Sequence, residues 1–197
     1  MIGFDLVHMP QATFRSESRF HAYVRKVATD SEEAWVYQQD QPQTAFWHLW
    51  AWKEAAFKVN FQSGGKRVFA PKRLQAETFE KHMDQPGWVI QGRTERGAVQ
   101  GESSQNEALI SAWTMSSDHS QKRLERAVFP LSKAQSLQAG YYLRKEALTW
   151  LENQFGGSFR WEEHAYFPTL IAPSGESWPA SLSHHGPFGG LACVIPH

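Results

Sequence analysis

One stretch of thirteen residues, FWHLWAWKEAAFK from Phe46 to Lys58, limits the possible folds of this chain most strongly. Its apolar residues recur at the spacing of one face of an α-helix, and Lys53, Glu54 and Lys58 fall on or near the border of that face. Taken alone, the pattern predicts a core helix with a solvated charged edge. Glu54 and Lys58 are one helical turn apart and therefore share a side, whereas Lys53 points away from them.

Composition restricts the remaining possibilities. The chain has 197 residues with 41% hydrophobic content, enough for one domain or two small halves that share a core. Basic and acidic residues number 20 each, which argues against a partner such as nucleic acid that is bound through bulk charge. The single cysteine, Cys193, excludes internal disulfides and lies in an apolar run that predicts a buried strand. The sequence shows no recognisable signal peptide and no apolar segment long enough to span a membrane, so a cytoplasmic protein is expected.

The first part of the chain predicts a strand, helical segments and a small antiparallel sheet. IGFDLVH alternates as a strand does, Pro10 ends it, and TDSEE is a helix N-cap signal. The aromatic helix follows and stops at QSGG. GWVIQGR, GAVQGES and EALISAWTMS are then predicted to be successive strands, the first two joined around residues 94–97.

The second part predicts a helical tract beginning at Gln121, with its clearest portion in AQSLQAGYYLRKEALTWLENQFGG. SLSHH and the apolar strand GGLACVI come last. Both this tract and the first helix contain Lys-Glu-Ala and end at Gly-Gly, which is compatible with an internal duplication or with chance recurrence of helix formers.

Three segments together resemble the 4′-phosphopantetheinyl transferase superfamily: GFDLVHM, HLWAWKEAAFK and ASLSHHG. The middle one is the most specific, because Trp50 to Lys58 matches the family's Lys-Glu pattern throughout. The resemblance implies an α+β fold of two pseudo-equivalent halves, each with helices and a small antiparallel sheet, packed as a pseudo-dimer. Residues 1–119 would carry the Asp and Lys-Glu motifs, and residues 120–197 the Ser-His motif.

The motif order is that of the small holo-acyl-carrier-protein synthases, whereas the length is that of the larger surfactin-synthetase-activating type. The halves would thus be permuted relative to the larger type, with one site between them in a monomer. The implied reaction transfers the phosphopantetheine arm of coenzyme A to a serine of an acyl or peptidyl carrier protein and releases 3′,5′-ADP, with Mg²⁺ required.

The resemblance also assigns roles to residues. Asp5 and Glu54 correspond to the metal ligands, and carboxylate oxygens are the donors that Mg²⁺ prefers. Glu54 would also accept the serine proton, and Lys58 would reach a diphosphate oxygen. Lys53 is assigned a structural or phosphate-steering role.

Coenzyme A would be held from the second half of the chain. His184 resembles the histidine that contacts the 3′-phosphate, and Ser183 beside it is a hydroxyl donor. Arg144 matches an arginine that could bind the nucleotide phosphates. A polar surface loop and an exposed helix arginine are the alternatives for these residues.

The chain departs from the family pattern where Val7 or His8 replaces a third acid, and where Tyr166-Phe167-Pro168 replaces a Gly-Lys-Pro turn. A non-catalytic descendant that binds coenzyme A or a carrier protein is therefore a second hypothesis. A third, a transition-metal hydrolase, would combine His184 and His185 with Asp5 and Glu54, but it lacks an HExxH pattern.

A cluster of basic residues lies just beyond the aromatic helix, in GGKRVFAPKR. Carrier proteins of the implied substrate class are acidic around their modified serine, so this cluster could dock one by charge complementarity. A solvated charge run explains it equally well. The basic residues are Lys66, Arg67, Lys72 and Arg73.

Overall fold

The computed structural model of the protein describes residues 1–117, 123–162, 167 and 169–196. Within these ranges the chain has five α-helices and eleven β-strands, and all strand pairing is antiparallel. The predicted α+β class is thus confirmed. In chain order the elements are β1 (Ile2–His8), α1 (Glu17–Val27), α2 (Asp30–Tyr37), α3 (Pro42–Gln62), a 3₁₀ helix (Pro71–Arg73), β2 (Gln75–Lys81), β3 (Gly87–Thr94), β4 (Gly97–Asn106), β5 (Leu109–Ser116), β6 (Arg123–Pro130), α4 (Lys133–Ser136), α5 (Ala139–Phe155), β7 (Arg160–Glu162), β8 (Thr169–Ile171), β9 (Ser177–Trp178), β10 (Ala180–His185) and β11 (Phe188–Ile195).

The first half of the chain builds a five-stranded sheet in the order β1-β5-β4-β3-β2, with α3 packed across it. The predicted hairpin is confirmed, since Thr94 pairs with Gly97 at the turn between β3 and β4. Thr29 caps α2 reciprocally with Glu32, as the TDSEE signal predicts. The pattern gave no indication of β2, because QAETFEK is largely polar and exposed at the sheet edge.

Strand β1 is buried on both faces and joins the two parts of the core. Phe4 and its neighbours two residues away on either side pack against Ala192 and Val194 of β11. On the opposite face, a Cβ at Gly3 would lie only 1.8 Å from the carbonyl oxygen of Ala55. Only glycine permits that approach, and it brings α3 directly onto β1.

The second half places α5 against a three-stranded sheet in the order β10-β11-β6, and β7, β8 and β9 form a second small sheet. The predicted helical tract from Gln121 is wrong in its first part. Gln121 lies outside the described residues, and Arg123–Pro130 is strand β6, paired along its whole length with β11. The apolar β11 is central to its sheet, so its backbone groups require a strand on each edge, and that tertiary demand overrides helix propensity. Cys193 is fully buried in β11, as predicted.

The proposed boundary between residues 119 and 120 also falls outside the described residues. The equivalence of the two halves stays a prediction. No helix in the described part of the chain is both long enough and apolar enough to cross a membrane.

Helix α3 is not the amphipathic helix that its pattern predicts, because it is buried around most of its circumference. The solvated charged edge is wrong for Lys53, whose side chain is 0% exposed. Its ammonium forms an ion pair of 2.7 Å with Glu32, which is equally buried. The same ammonium donates hydrogen bonds to the carbonyl oxygens of Pro71 at 2.8 Å and Leu74 at 2.7 Å.

The carboxylate of Glu32 completes this buried network. It accepts hydrogen bonds from the backbone N–H groups of Thr29 and Ala76, both at 2.7 Å. Burial lowers the pKa of Lys53, and the charge of Glu32 opposes that shift. The pair therefore connects α2, α3 and the segment leading into β2 at one point, which agrees with a structural role for Lys53.

We expect Lys53→Met to destabilise the fold by about 3–5 kcal/mol, because it leaves the Glu32 carboxylate buried without a counterion. Urea unfolding at pH 7, followed by tryptophan fluorescence, measures the change. Arg93→Met is the matched control, since it breaks the exposed ion pair with Glu77 and should cost under about 1 kcal/mol. Equal losses in both variants would contradict the buried network.

Candidate functional site

Asp5 lies where β1, α3 and β10 meet, and its carboxylate is the centre of a polar network. Its Oδ1 accepts a hydrogen bond of 2.8 Å from the hydroxyl of Ser183 and one of 3.1 Å from the ammonium of Lys58. Asp5 is only 9% exposed. One strand of each half of the chain and one helix therefore contribute to this network.

The Lys58 ammonium joins the edges of two separate sheets. It donates to the carbonyl oxygen of Phe4 on β1, to that of Leu182 on β10 at 3.5 Å, and to Asp5. These are three acceptors for the three N–H groups of a lysine. Lys58 reaches another oxygen only by exchanging one of these bonds, of which the contact with Leu182 is the longest.

Glu54 stands beside the two charges of that network. The pKa of Glu54 is raised to about 7, because burial raises it most and the negative charge of Asp5 raises it as well, while the positive charge of Lys58 opposes both effects. Glu54 forms no hydrogen bond and no ion pair with any described residue, and its side chain remains partly exposed. The carboxylates of Asp5 and Glu54 together carry more negative charge than the single ammonium of Lys58 can neutralise.

A cavity of about 300 Å³ opens directly beside the network. Four residues singled out from the sequence lie in its wall, namely Lys58, Arg144, Ser183 and His184. Lys58 and Ser183 are also the two residues that bind Asp5. Five of the six predicted site residues are thus joined by hydrogen bonds or by the shared cavity wall, and the sixth, Glu54, lies within electrostatic reach of Asp5 and Lys58.

Part of the cavity wall is aromatic and was not anticipated from the sequence. It consists of Phe57 and Phe61 on α3, Trp161 on β7, and Phe167. Phe57 and Phe61 are stacked with ring centroids 6.3 Å apart, and the indole of Trp161 donates to the backbone carbonyl of Arg144 at 3.2 Å. The spacing of the two phenylalanines on one helical turn is the only sequence signal for this wall, and it also fits ordinary core packing.

His185 does not join the site. Its Nδ1 donates to the carbonyl oxygen of Leu6 at 3.2 Å, so the ring links β10 to β1. Among the described residues, no group of three or more histidine, cysteine or acidic side chains is placed to hold a metal ion. The geometry therefore does not support the transition-metal hydrolase hypothesis.

Two residues at which the sequence departs from the family pattern, Val7 and His8, lie on the described strand β1. Val7 is buried in the main core cluster, and His8 packs edge-on against Phe188, so neither position offers a third acid. Tyr166 and Pro168, which stand in place of the Gly-Lys-Pro turn, lie outside the described residues.

The pKa of Glu54 predicts a pH dependence of stability in the metal-free protein. Because the folded-state pKa is raised from 4.5 to about 7, the folded state binds the proton more tightly than the unfolded chain does. The contribution of Glu54 to stability should therefore be most favourable below the ordinary pKa of 4.5 and should fall as the pH rises towards 7. Allowing for solvent at the half-buried carboxylate, Glu54→Gln should recover about 1–2 kcal/mol at pH 8 and almost nothing at pH 4.

Urea unfolding between pH 4 and 8 with a chelator present tests this expectation. Glu80→Gln, on the exposed face of β2, is the matched control and should leave the profile unchanged. A constant difference between the wild type and Glu54→Gln across this range would show that Glu54 is not held in an unfavourable environment.

The comparison with known proteins supports the predicted family for the first half of the chain. A family model described as the 4′-phosphopantetheinyl transferase superfamily matches residues 1–112, which include Asp5, Glu54 and Lys58. No curated protein matches the chain in sequence. The match covers more than half of the chain and contains the specific Lys-Glu motif. The chain therefore belongs to the 4′-phosphopantetheinyl transferase superfamily.

Proposed function

We propose that this protein transfers the 4′-phosphopantetheine arm of coenzyme A to a serine of an acyl or peptidyl carrier protein, with Mg²⁺ as cofactor and 3′,5′-ADP as the second product. One observation carries the proposal. Lys58 and Ser183 lie in the wall of a cavity and also bind Asp5, so a ligand in that cavity would end at the carboxylate pair.

The donor set of the site fits a divalent cation. Asp5 and Glu54 offer carboxylate oxygens, and both burial and the charge of Asp5 raise the pKa of Glu54, so a bound cation would favour its ionised form. Both residues would hold Mg²⁺, and no third acid is supplied by Val7, which is buried in the core. When bound, the cation would neutralise charge on the diphosphate of coenzyme A.

The cavity wall contains both charged or polar side chains and aromatic rings, which suits the phosphates and the adenine of coenzyme A. Arg144 and His184 would contact the phosphates, including the 3′-phosphate at His184, and Ser183 offers a hydroxyl beside them. The aromatic wall would pack against the adenine, as flat rings do in nucleotide sites. Lys58 would reach a diphosphate oxygen by giving up its long bond to the carbonyl of Leu182.

Glu54 is the candidate general base. A pKa near 7 leaves a substantial fraction ionised at neutral pH, which suits proton abstraction. In the proposed step the serine proton passes to the Glu54 carboxylate, and the serine oxygen forms a bond to the phosphorus that carries the pantetheine arm. The bond between that phosphorus and the bridging oxygen breaks, and the electron pair leaves with 3′,5′-ADP.

The arrangement of the chain supports a single site in a monomer. Phe57, Lys58, Phe61 and Gln62 come from the first proposed half, whereas the rest of the cavity wall comes from the second. A holo-acyl-carrier-protein synthase type of motif order would then operate with residues 1–119 and 120–197 as the two halves of a pseudo-dimer in the cytoplasm. The competing hypothesis is a non-catalytic descendant, favoured by the three protein acceptors already bound to Lys58.

Intact-mass spectrometry of apo acyl and peptidyl carrier proteins, incubated with this protein, coenzyme A and Mg²⁺, tests the transfer. We expect the mass of one phosphopantetheine arm to be added, and chelation to prevent it. Glu54→Gln should lower the rate by about 100- to 10,000-fold, and Asp5→Asn should be similarly inactive. Glu80→Gln should retain the wild-type rate. Wild-type rates in the Asp5 or Glu54 variant would refute the mechanism, and coenzyme A binding without transfer would favour the non-catalytic descendant.

His184→Ala should raise KM for coenzyme A about tenfold or more, because a charge-assisted contact with the 3′-phosphate is lost. With 3′-dephospho-coenzyme A, the wild type and the variant should have nearly equal KM values. His21→Ala, an exchange on α1 away from the cavity wall, is the control and should leave both constants unchanged. Equal losses with the two substrates would argue against a 3′-phosphate role for His184.

A further inference from the structure

Gln62, the last residue of α3, spans the gap between β1 and β10. Both strands are described along their whole length, and they lie side by side without a hydrogen-bonded ladder between them. The side-chain oxygen of Gln62 accepts from the N–H of Ile2 on β1 at 3.3 Å, and its amide nitrogen donates to the carbonyl oxygen of Ala180 on β10 at 3.4 Å. One side chain therefore binds a backbone group of each strand.

Lys58 spans the same gap one helical turn before Gln62. Its ammonium donates to the carbonyl oxygens of Phe4 and Leu182, which lie two residues further along β1 and β10 than the partners of Gln62. Because the partners advance by the same step on both strands, the strands run in the same direction. Helix α3 thus supplies two successive bridges between them.

The two bridges differ in what the proposed reaction asks of them. Among the described residues, α3 is joined to β10 by two hydrogen bonds, from Lys58 to Leu182 and from Gln62 to Ala180. Lys58 would exchange its bond to Leu182 for one to a diphosphate oxygen. The bond from Gln62 would then be the hydrogen bond that still ties α3 to β10.

A fixed separation between α3 and β10 matters because both elements would hold the same ligand molecule. Lys58 on α3 would bind the diphosphate of coenzyme A, and His184 on β10 would bind its 3′-phosphate. Both residues line the cavity, and Gln62 lies in the same wall. One molecule reaches both contacts only if the helix and the strand keep their relative position.

We propose that Gln62 is a positioning residue that sets the separation between the diphosphate contact and the 3′-phosphate contact of coenzyme A. It acts through Lys58 and His184, by holding the helix that carries one to the strand that carries the other. The inference rests on the proposed function, and it adds a residue to which the sequence pattern assigned no role.

Amide hydrogen exchange, measured by NMR, tests the bridge without any ligand. The Phe4 N–H donates to the hydroxyl of Ser181 on β10 at 3.0 Å, so its exchange rate reports separation of the strands. Lys58→Met imitates the release of β10, and adding Gln62→Met should then raise the Phe4 rate about tenfold, relative to amides in the centre of β3 that report global unfolding. A Phe4 rate no faster in the double variant than in Lys58→Met would overturn the proposal.

Isothermal titration calorimetry with coenzyme A measures the effect on the ligand site. Gln62→Met should raise the Kd of coenzyme A about fivefold. In the His184→Ala background the same exchange should have little effect, because the 3′-phosphate contact is already lost. Gln43→Met, an exposed exchange at the other end of α3, is the matched control and should bind as the wild type does.

Equal losses from Gln62→Met in the wild-type and His184→Ala backgrounds would overturn the positioning role, because they would show that Gln62 contacts coenzyme A independently of His184. A wild type that binds no coenzyme A would refute the proposed function itself. That result is distinguishable from a failure of the bridge, which the exchange rates report in the absence of ligand.

Discussion

The ammonium of Lys58 is the contact on which the site depends, because it joins two sheet edges that share no strand pairing. β1 and β10 are the outer strands of their sheets, so their outward backbone groups lack a ladder partner. Side chains form hydrogen bonds with these backbone groups instead. Lys58 donates to carbonyl oxygens on both strands. The hydroxyl of Ser181 accepts from the N–H of Phe4, and the ring of His185 donates to the carbonyl oxygen of Leu6. Asp5 is held at this junction by Ser183 and Lys58, and the cavity proposed for coenzyme A opens beside it.

The two lysines of α3 solve different physical problems although they are five residues apart. Lys53 is fully enclosed, and its charge is stabilised by Glu32 and by the carbonyl groups of Pro71 and Leu74. Lys58 remains partly exposed at the junction of the sheets. Desolvating a charge is tolerated only where every hydrogen bond is supplied, so the Lys53 network also fixes the residues from Pro71 to Leu74 that lead into β2. One helix thus carries both a buried structural lysine and the lysine of the proposed site.

Sequence pattern predicted the elements whose stability is local. The capping box before α2, the turn of the β3–β4 hairpin and the first strand are specified by neighbouring residues, and the structure has each of them. The prediction failed for β2 and β6, which are edge strands with polar or mixed faces. Their state is decided by the strand beside them, whose unpaired backbone groups are invisible in the sequence.

For the site, the sequence by itself determined the residue types: a carboxylate in a buried strand, a glutamate and a lysine one helical turn apart, and a serine and histidine before the last strand. Only the tertiary structure decided that Lys53 is buried, that aromatic rings close the cavity, and that Asp5 contacts Ser183 across 178 positions of the chain. Local spacing fixes which side chains share a helix face. Desolvation, pKa and distance between remote segments depend on how closely α3 packs over Gly3, and that contact exists only in the folded chain.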